Sequence, residues 1–142
     1  MVIISFIGDY RFLSNYHLVK IKYKGFEFPS TENAFQASKD PSRMSEFVNL
    51  TPLESRLLGQ KVDLREDWND IKYKVMEEIL NIKFKDNFLY TELIKTYPRY
   101  LVEGNYWHDN YWGACYCKSC KGVGENNLGT IIMKIRDRGI IV

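Results

Sequence analysis

The chain has 142 residues, with 20 basic against 18 acidic side chains, a formal charge of +2 and 45% hydrophobic residues. That suits one domain with a single core, excludes a disordered tail, and leaves no basic excess with which to hold nucleic acid chiefly by phosphate neutralisation. No stretch approaches the roughly 18–20 apolar residues of a membrane-spanning helix, so no membrane partner is expected.

The opening Met1-Val2-Ile3-Ile4-Ser5-Phe6 lacks a charged leader region and a small-residue cleavage site, and reads as a strand. Over 18–28, Val19, Ile21 and Tyr23 alternate with Lys20, Lys22 and Lys24 before Gly25 turns the chain into Phe26-Glu27-Phe28, which predicts a hairpin. Pro29-Ser30-Thr31 supplies a cap for a short helix over Glu32–Lys39 that ends before Pro41. Thr51-Pro52-Leu53-Glu54 is a capping box opening a helix that stops near Gly59. Trp68, Ile71, Val75, Met76, Ile79 and Leu80 recur at helical spacing, to about Phe84. Another helix is predicted over 87–96, with Leu89, Leu93 and Ile94 inward, then a short strand over 100–103. A last helix carries Leu128, Ile131, Ile132 and Ile135 to about Arg138, with Asn126 or Asn127 as its cap. No repeat or linker divides the chain. The expected fold is a mainly helical α+β single domain over 1–142, with a small antiparallel sheet mostly toward the N-terminus.

Four groups of residues can carry chemistry. Glu32, Gln36 and Lys39 fall on one face of the short helix, where a carboxylate, an amide and an amine can hold a polyhydroxylated ligand and move a proton; an ordinary solvated face has the same spacing. Glu103–Gly113 packs two acids, His108, two tryptophans and two tyrosines into eleven positions, the composition of a pocket-lining loop or of a loop stapled by its tryptophans with Asp109 as a local cap. Gly122-Val123-Gly124-Glu125-Asn126-Asn127-Leu128-Gly129 runs into the last helix as a phosphate cradle or a plain turn. Cys115, Cys117 and Cys120, with His108 upstream, could form a Cys₃His zinc site. The usual second knuckle is absent, so three reduced thiols are the simpler reading; an odd, tight cluster is a poor disulfide framework and suits a reducing cytoplasm.

In order, several stretches resemble the NADAR family, whose name refers to NAD and ADP-ribose. They are Phe12-Leu13-Ser14-Asn15-Tyr16, Phe28 through Lys39, Leu58 through Trp68, Lys83-Phe84, Leu101-Val102-Glu103, Asp109-Asn110-Tyr111-Trp112-Gly113, and Gly124 through Gly129 with Met133 and Arg136. The resemblance covers about residues 6–138. It implies an N-glycosidase that hydrolyses the bond between ribose C1 and a nitrogen, acting on an ADP-ribosylated nucleobase such as guanine in DNA or RNA, or on ribosylaminopyrimidine phosphates of riboflavin synthesis. On that reading Glu32 and Asp109 form the catalytic pair. Asn15 and Gln36 fix hydroxyls, Trp68 and Trp112 stack on the ring or sugar, and Arg65 with the turn at Gly124–Asn126 holds phosphate. Lys39, with Lys83 in reserve, offers a Schiff-base route. No cofactor is expected, neither route requires a metal, and the protein should be a monomer, since no apolar heptads are sustained. The competing readings are a non-catalytic reader of NAD or ADP-ribose and a small zinc-stabilised interaction domain.

Overall fold

A computed structural model describes residues 1–140. The chain forms two compact units, one built from the contiguous segment Asn15–Lys85, the other from Met1–Ser14 and the chain from Asp86 onward.

In the contiguous unit, β1 of the hairpin (Leu18–Tyr23) pairs antiparallel with β2 (Phe26–Ser30). Lys24 and Gly25 at the tip both have positive φ, 52° and 84°, as a tight primed turn requires. Alternation places Ile21, Tyr23 and Phe28 inward. Ser30 ends the hairpin and caps α1 (Thr31–Ala37), its Oγ accepting the Asn33 N–H at 3.1 Å. A 3-10 segment over Pro41–Phe47, which the sequence did not predict, leads to α2 (Pro52–Gly59), whose capping box forms as expected. Helix α3 (Trp68–Lys83) buries Trp68, Val75, Met76, Ile79, Leu80 and Lys83. α1 packs against α2, α3 and β2, which makes it the central element of this unit.

The other unit contains α4 (Asn87–Ile94) and α5 (Asn127–Arg138) and two short strand pairs. The N-terminal strand, β3 by our labels, is only Val2–Ile3, and it pairs in parallel with β4 (Tyr100–Leu101) rather than extending to Phe6. β5 (Gly104–Asn105) and β6 (Ala114–Cys115) also pair in parallel. The fold is α+β and mainly helical. The predicted antiparallel sheet is the hairpin; both parallel pairs escape the sequence because two-residue strands carry no period. Among the described residues no helix is long and apolar enough to cross a membrane.

Candidate active site

Every residue of α1 is buried, so its polar face is not the solvated surface that the spacing alone allowed. Glu32 is 9% exposed and Gln36 7%. Gln36 Nε2 donates to Glu32 Oε2 at 2.7 Å, while the Glu32 N–H donates to the Asn15 carbonyl at 3.0 Å. Asn33, between them, is fully buried and donates through Nδ2 to the carbonyls of Phe47 and Leu50 at 2.9 and 2.8 Å, locking the helix in place. A buried carboxylate held by an amide is a group whose position is fixed before any ligand arrives.

Two further side chains feel the Glu32 charge. Lys39 is half-buried, and desolvation holds its amine below the ordinary lysine range; Glu32 opposes that shift, and Lys72 from α3 adds to it. Burial pushes the Tyr16 phenol up, Glu32 pushes it further, and a hydrogen bond with Arg56 of α2 pulls the other way. Sequence reasoning assigned no role to Tyr16, Arg56 or Lys72. Tyr16 adjoins Asn15 and could have been nominated with it; Arg56 and Lys72 lie on other helices, and no local spacing links them to Glu32. Asn15 donates to Met76 Sδ at 3.6 Å, while its buried Oδ1 and Gln36 Oε1 have no hydrogen-bond partner. These two buried acceptors are unpaired, and Gln36 Oε1 faces Gly59 of α2.

Other expected site residues make contacts within the protein. Trp68 is 4% exposed and packs against Phe35 with ring centroids 5.0 Å apart, so neither face of its indole is open for stacking. Arg65 spends its fork on Asp67, at 2.6 and 3.2 Å. It lines a cavity of about 440 Å³ with Tyr23, Lys74 and Glu78, to which Glu32, Gln36 and Lys39 do not contribute. Lys83 is 1% exposed, its ammonium 5.3 Å from the centre of the Phe84 ring.

In the other unit, the aromatic loop is organised by two side chains. Asn105, 1% exposed, accepts the N–H groups of Trp107 and Asp109 and donates to the carbonyls of Asp109 and Ala114. Asp109 Oδ1 accepts the N–H groups of Tyr111 and Trp112 at 3.2 and 2.9 Å, the local cap that the composition allowed. Trp112 is half-buried and edge-on to Tyr111, whereas Tyr106 and Trp107 are 71% and 59% exposed.

The turn at Gly124–Asn126, expected to hold phosphate, has most of its backbone donors engaged within the protein. The N–H groups of Glu125, Asn126, Asn127 and Leu128 donate to the carbonyls of Asn110, Gly113, Tyr111 and Trp112, so the start of α5 has spent the donors that an anion would need. A Cβ on Gly124 would lie 2.1 Å from the Gly113 carbonyl, so this glycine serves backbone packing. Asn126 is the N-cap residue of α5, as expected, in the left-handed conformation at φ 53°, but its side chain makes no cap bond; its amide instead bridges the Leu101 carbonyl and the Glu103 N–H at 2.9 and 3.0 Å. The same loop gathers His108, Cys115, Cys117 and Cys120, whose donor atoms lie within 4.8 Å of one another.

Comparison with known proteins agrees with the motifs. A family model described as the NADAR domain matches residues 5–138, spanning both units. N-glycosidase YbiA of Escherichia coli is 32% identical over 136 residues, covering 92% of this chain and 82% of that protein. A riboflavin biosynthesis protein of Vibrio vulnificus is 32% identical over 139 residues, covering 91% of this chain and 35% of its own length. The NMR structure of E. coli YbiA superposes with a TM-score of 0.79 at 31% identity, covering 99% of this chain and 84% of that one. The chain belongs to the NADAR domain family.

Proposed function

We propose that this protein hydrolyses the bond between ribose C1 and a nitrogen of a phosphorylated ribosyl substrate, using Glu32 and Gln36 of α1 and Lys39 in the turn that follows the helix. Its membership of a family whose curated relatives are named N-glycosidases makes it a hydrolase of N-glycosyl bonds. The observation that carries the residue assignment is the buried Glu32 carboxylate, fixed by Gln36 at 2.7 Å with Lys39 in electrostatic reach.

The reaction passes through a transition state with positive charge spread over C1 and the ring oxygen, which a nearby carboxylate stabilises. In direct hydrolysis the leaving nitrogen departs with the C1–N electron pair and takes up a proton. Water adds to C1 as Glu32 removes its proton. In the alternative, the neutral Lys39 amine attacks C1 as the nitrogen leaves, the ribose ring opens to an iminium, and water then hydrolyses the iminium to return the free lysine and the sugar. The second route needs the neutral amine, since only it has a lone pair to donate, and desolvation moves Lys39 in that direction while Glu32 opposes it. Borohydride added during turnover should reduce the iminium to a stable adduct that peptide mass spectrometry places on Lys39. Turnover without an adduct assigns the reaction to water, and an adduct on Lys83 moves the nucleophile there.

Two substrates fit this chemistry. ADP-ribosylated guanine follows from the family resemblance, while relatives named as riboflavin biosynthesis proteins support a ribosylaminopyrimidine phosphate. Incubation with each, followed by chromatography of the released base, separates them, and activity on neither would refute the proposal. A non-catalytic reader would bind ADP-ribose and keep that affinity in Glu32→Gln without ever showing turnover.

A further inference from the structure

One cluster of reactive side chains has no part in the proposed reaction. From His108 Nδ1, the sulfurs of Cys120, Cys117 and Cys115 stand 3.2, 3.6 and 3.9 Å away. A tetrahedral zinc with Zn–S near 2.3 Å and Zn–N near 2.0–2.1 Å sets its donors about 3.5–3.8 Å apart. The three nitrogen–sulfur separations bracket that edge length, and the widest donor pair, within 4.8 Å, needs to draw in by about 1 Å to close on an ion. We propose that His108, Cys115, Cys117 and Cys120 bind one structural Zn²⁺ that pins the loop running from β5 to Val123.

The backbone is arranged around these four donors. His108 holds φ at 67°, an uncommon conformation for a residue with a side chain, in the loop that brings its ring to the sulfurs. The His108 N–H donates to Cys115 Sγ at 3.3 Å and the Cys120 N–H to Cys117 Sγ at 3.4 Å, bonds that stabilise the thiolate form a metal needs. Lys121 and Gly122, with φ of 55° and 84°, then reverse the chain so that Val123 bridges back to Cys115. Three thiolates and an imidazole on Zn²⁺ leave a net charge of −1, and Lys118 and Lys121 in the same loop offset it.

The other uses of such a cluster fit less well. Cys117 and Cys120 are only half-buried, so core packing does not account for them. A disulfide would use two sulfurs, whereas all three converge on one imidazole. An iron–sulfur cluster ordinarily takes four thiolates. Soft S₃N donors in a tetrahedron select zinc, and four protein ligands leave no open position, so the ion holds structure and takes no step in the reaction at C1. β5 and β6 pair over two residues each, too little to fix the exposed Tyr106–Trp107 segment between them, and the metal supplies the missing cross-link.

Metal analysis of protein purified without chelator should find one zinc per chain. Replacement by Co²⁺ should give the intense visible bands of a tetrahedral thiolate site. Stripping with a chelator should lower the melting temperature by several degrees, with recovery when zinc is restored. Cys120→Ser should weaken zinc binding about a hundredfold or more. If that variant does not fold, metal content and the Co²⁺ spectrum of the unaltered protein decide the matter. Sub-stoichiometric zinc after reconstitution under reducing conditions, an octahedral Co²⁺ spectrum, or a melting temperature indifferent to chelator would overturn the proposal, and none of these results bears on the glycosidase reading.

Discussion

Glu32 is the residue on which the chemistry rests. Glu32→Gln keeps a polar group of the same size beside Gln36 while removing the charge. It should lower kcat by about 10²–10⁴ with a much smaller change in KM, read from steady-state kinetics on whichever ribosyl substrate is turned over. Asp109 calls for the opposite expectation. Its Oδ1 caps two backbone N–H groups, and asparagine keeps that acceptor. Asp109→Asn should therefore leave stability nearly unchanged, whereas Asp109→Ala should cost about 1–2 kcal/mol in denaturant melts. A large kcat loss in the asparagine variant would instead place Asp109 with Glu32 in the catalytic pair. Lys39 adds a pH dependence. Because its folded pKa lies below the unfolded value, the unfolded chain binds more protons between the two, and stability rises with pH through that window. In alkaline melting curves Lys39→Met should remove that part of the rise.

The elements around α1 explain how such a site is kept in register. A Cβ on Gly59, at the end of α2, would sit 2.0 Å from Gln36 Oε1. Gln36 Cδ and Cβ follow at 2.8 and 3.2 Å, so Gly59→Ala should push the whole Gln36 side chain off Glu32 and strain the α1–α2 contact. Activity should fall about tenfold, with a lower melting temperature beside it. Asn33→Ala should act chiefly on stability, costing about 2–4 kcal/mol by removing the amide that serves the buried Phe47 carbonyl and the part-buried Leu50 carbonyl. Much of this neighbourhood was legible beforehand. Ser30, the Thr51 box and the Trp68–Leu80 period mark their helices through local chemistry, and the four- and three-residue spacing set Glu32, Gln36 and Lys39 on one face. Burial was not legible, because a polar face looks the same whether water or another helix covers it. The partners of the glycine-rich turn stayed hidden for a related reason: free N–H groups at a helix start are a sequence expectation, and four carbonyls from residues 110–113 had already taken them. The parallel pairs β3–β4 and β5–β6 had no period to reveal them.

Taken across the full chain, charge is nearly balanced, with +2 from 20 basic and 18 acidic residues. A protein so composed gains little from releasing counterions. If it acts on a modified base within a polynucleotide, kcat/KM should fall only shallowly with added salt, with a log–log slope of magnitude below about 2, close to that for the free ribosyl substrate. A steep slope would reveal a basic track that the net charge conceals.

The pairing of Val2–Ile3 with Tyr100–Leu101 has a consequence for biogenesis. On the ribosome, the hairpin and helices within Asn15–Lys85 form a contiguous compact unit and can pack on one another as soon as that stretch emerges. The first strand must wait, unpaired, until some hundred residues have been translated. Nascent chains arrested at the length where Lys85 has just cleared the exit tunnel should therefore protect the inner stretch from protease while the leading segment is still cut.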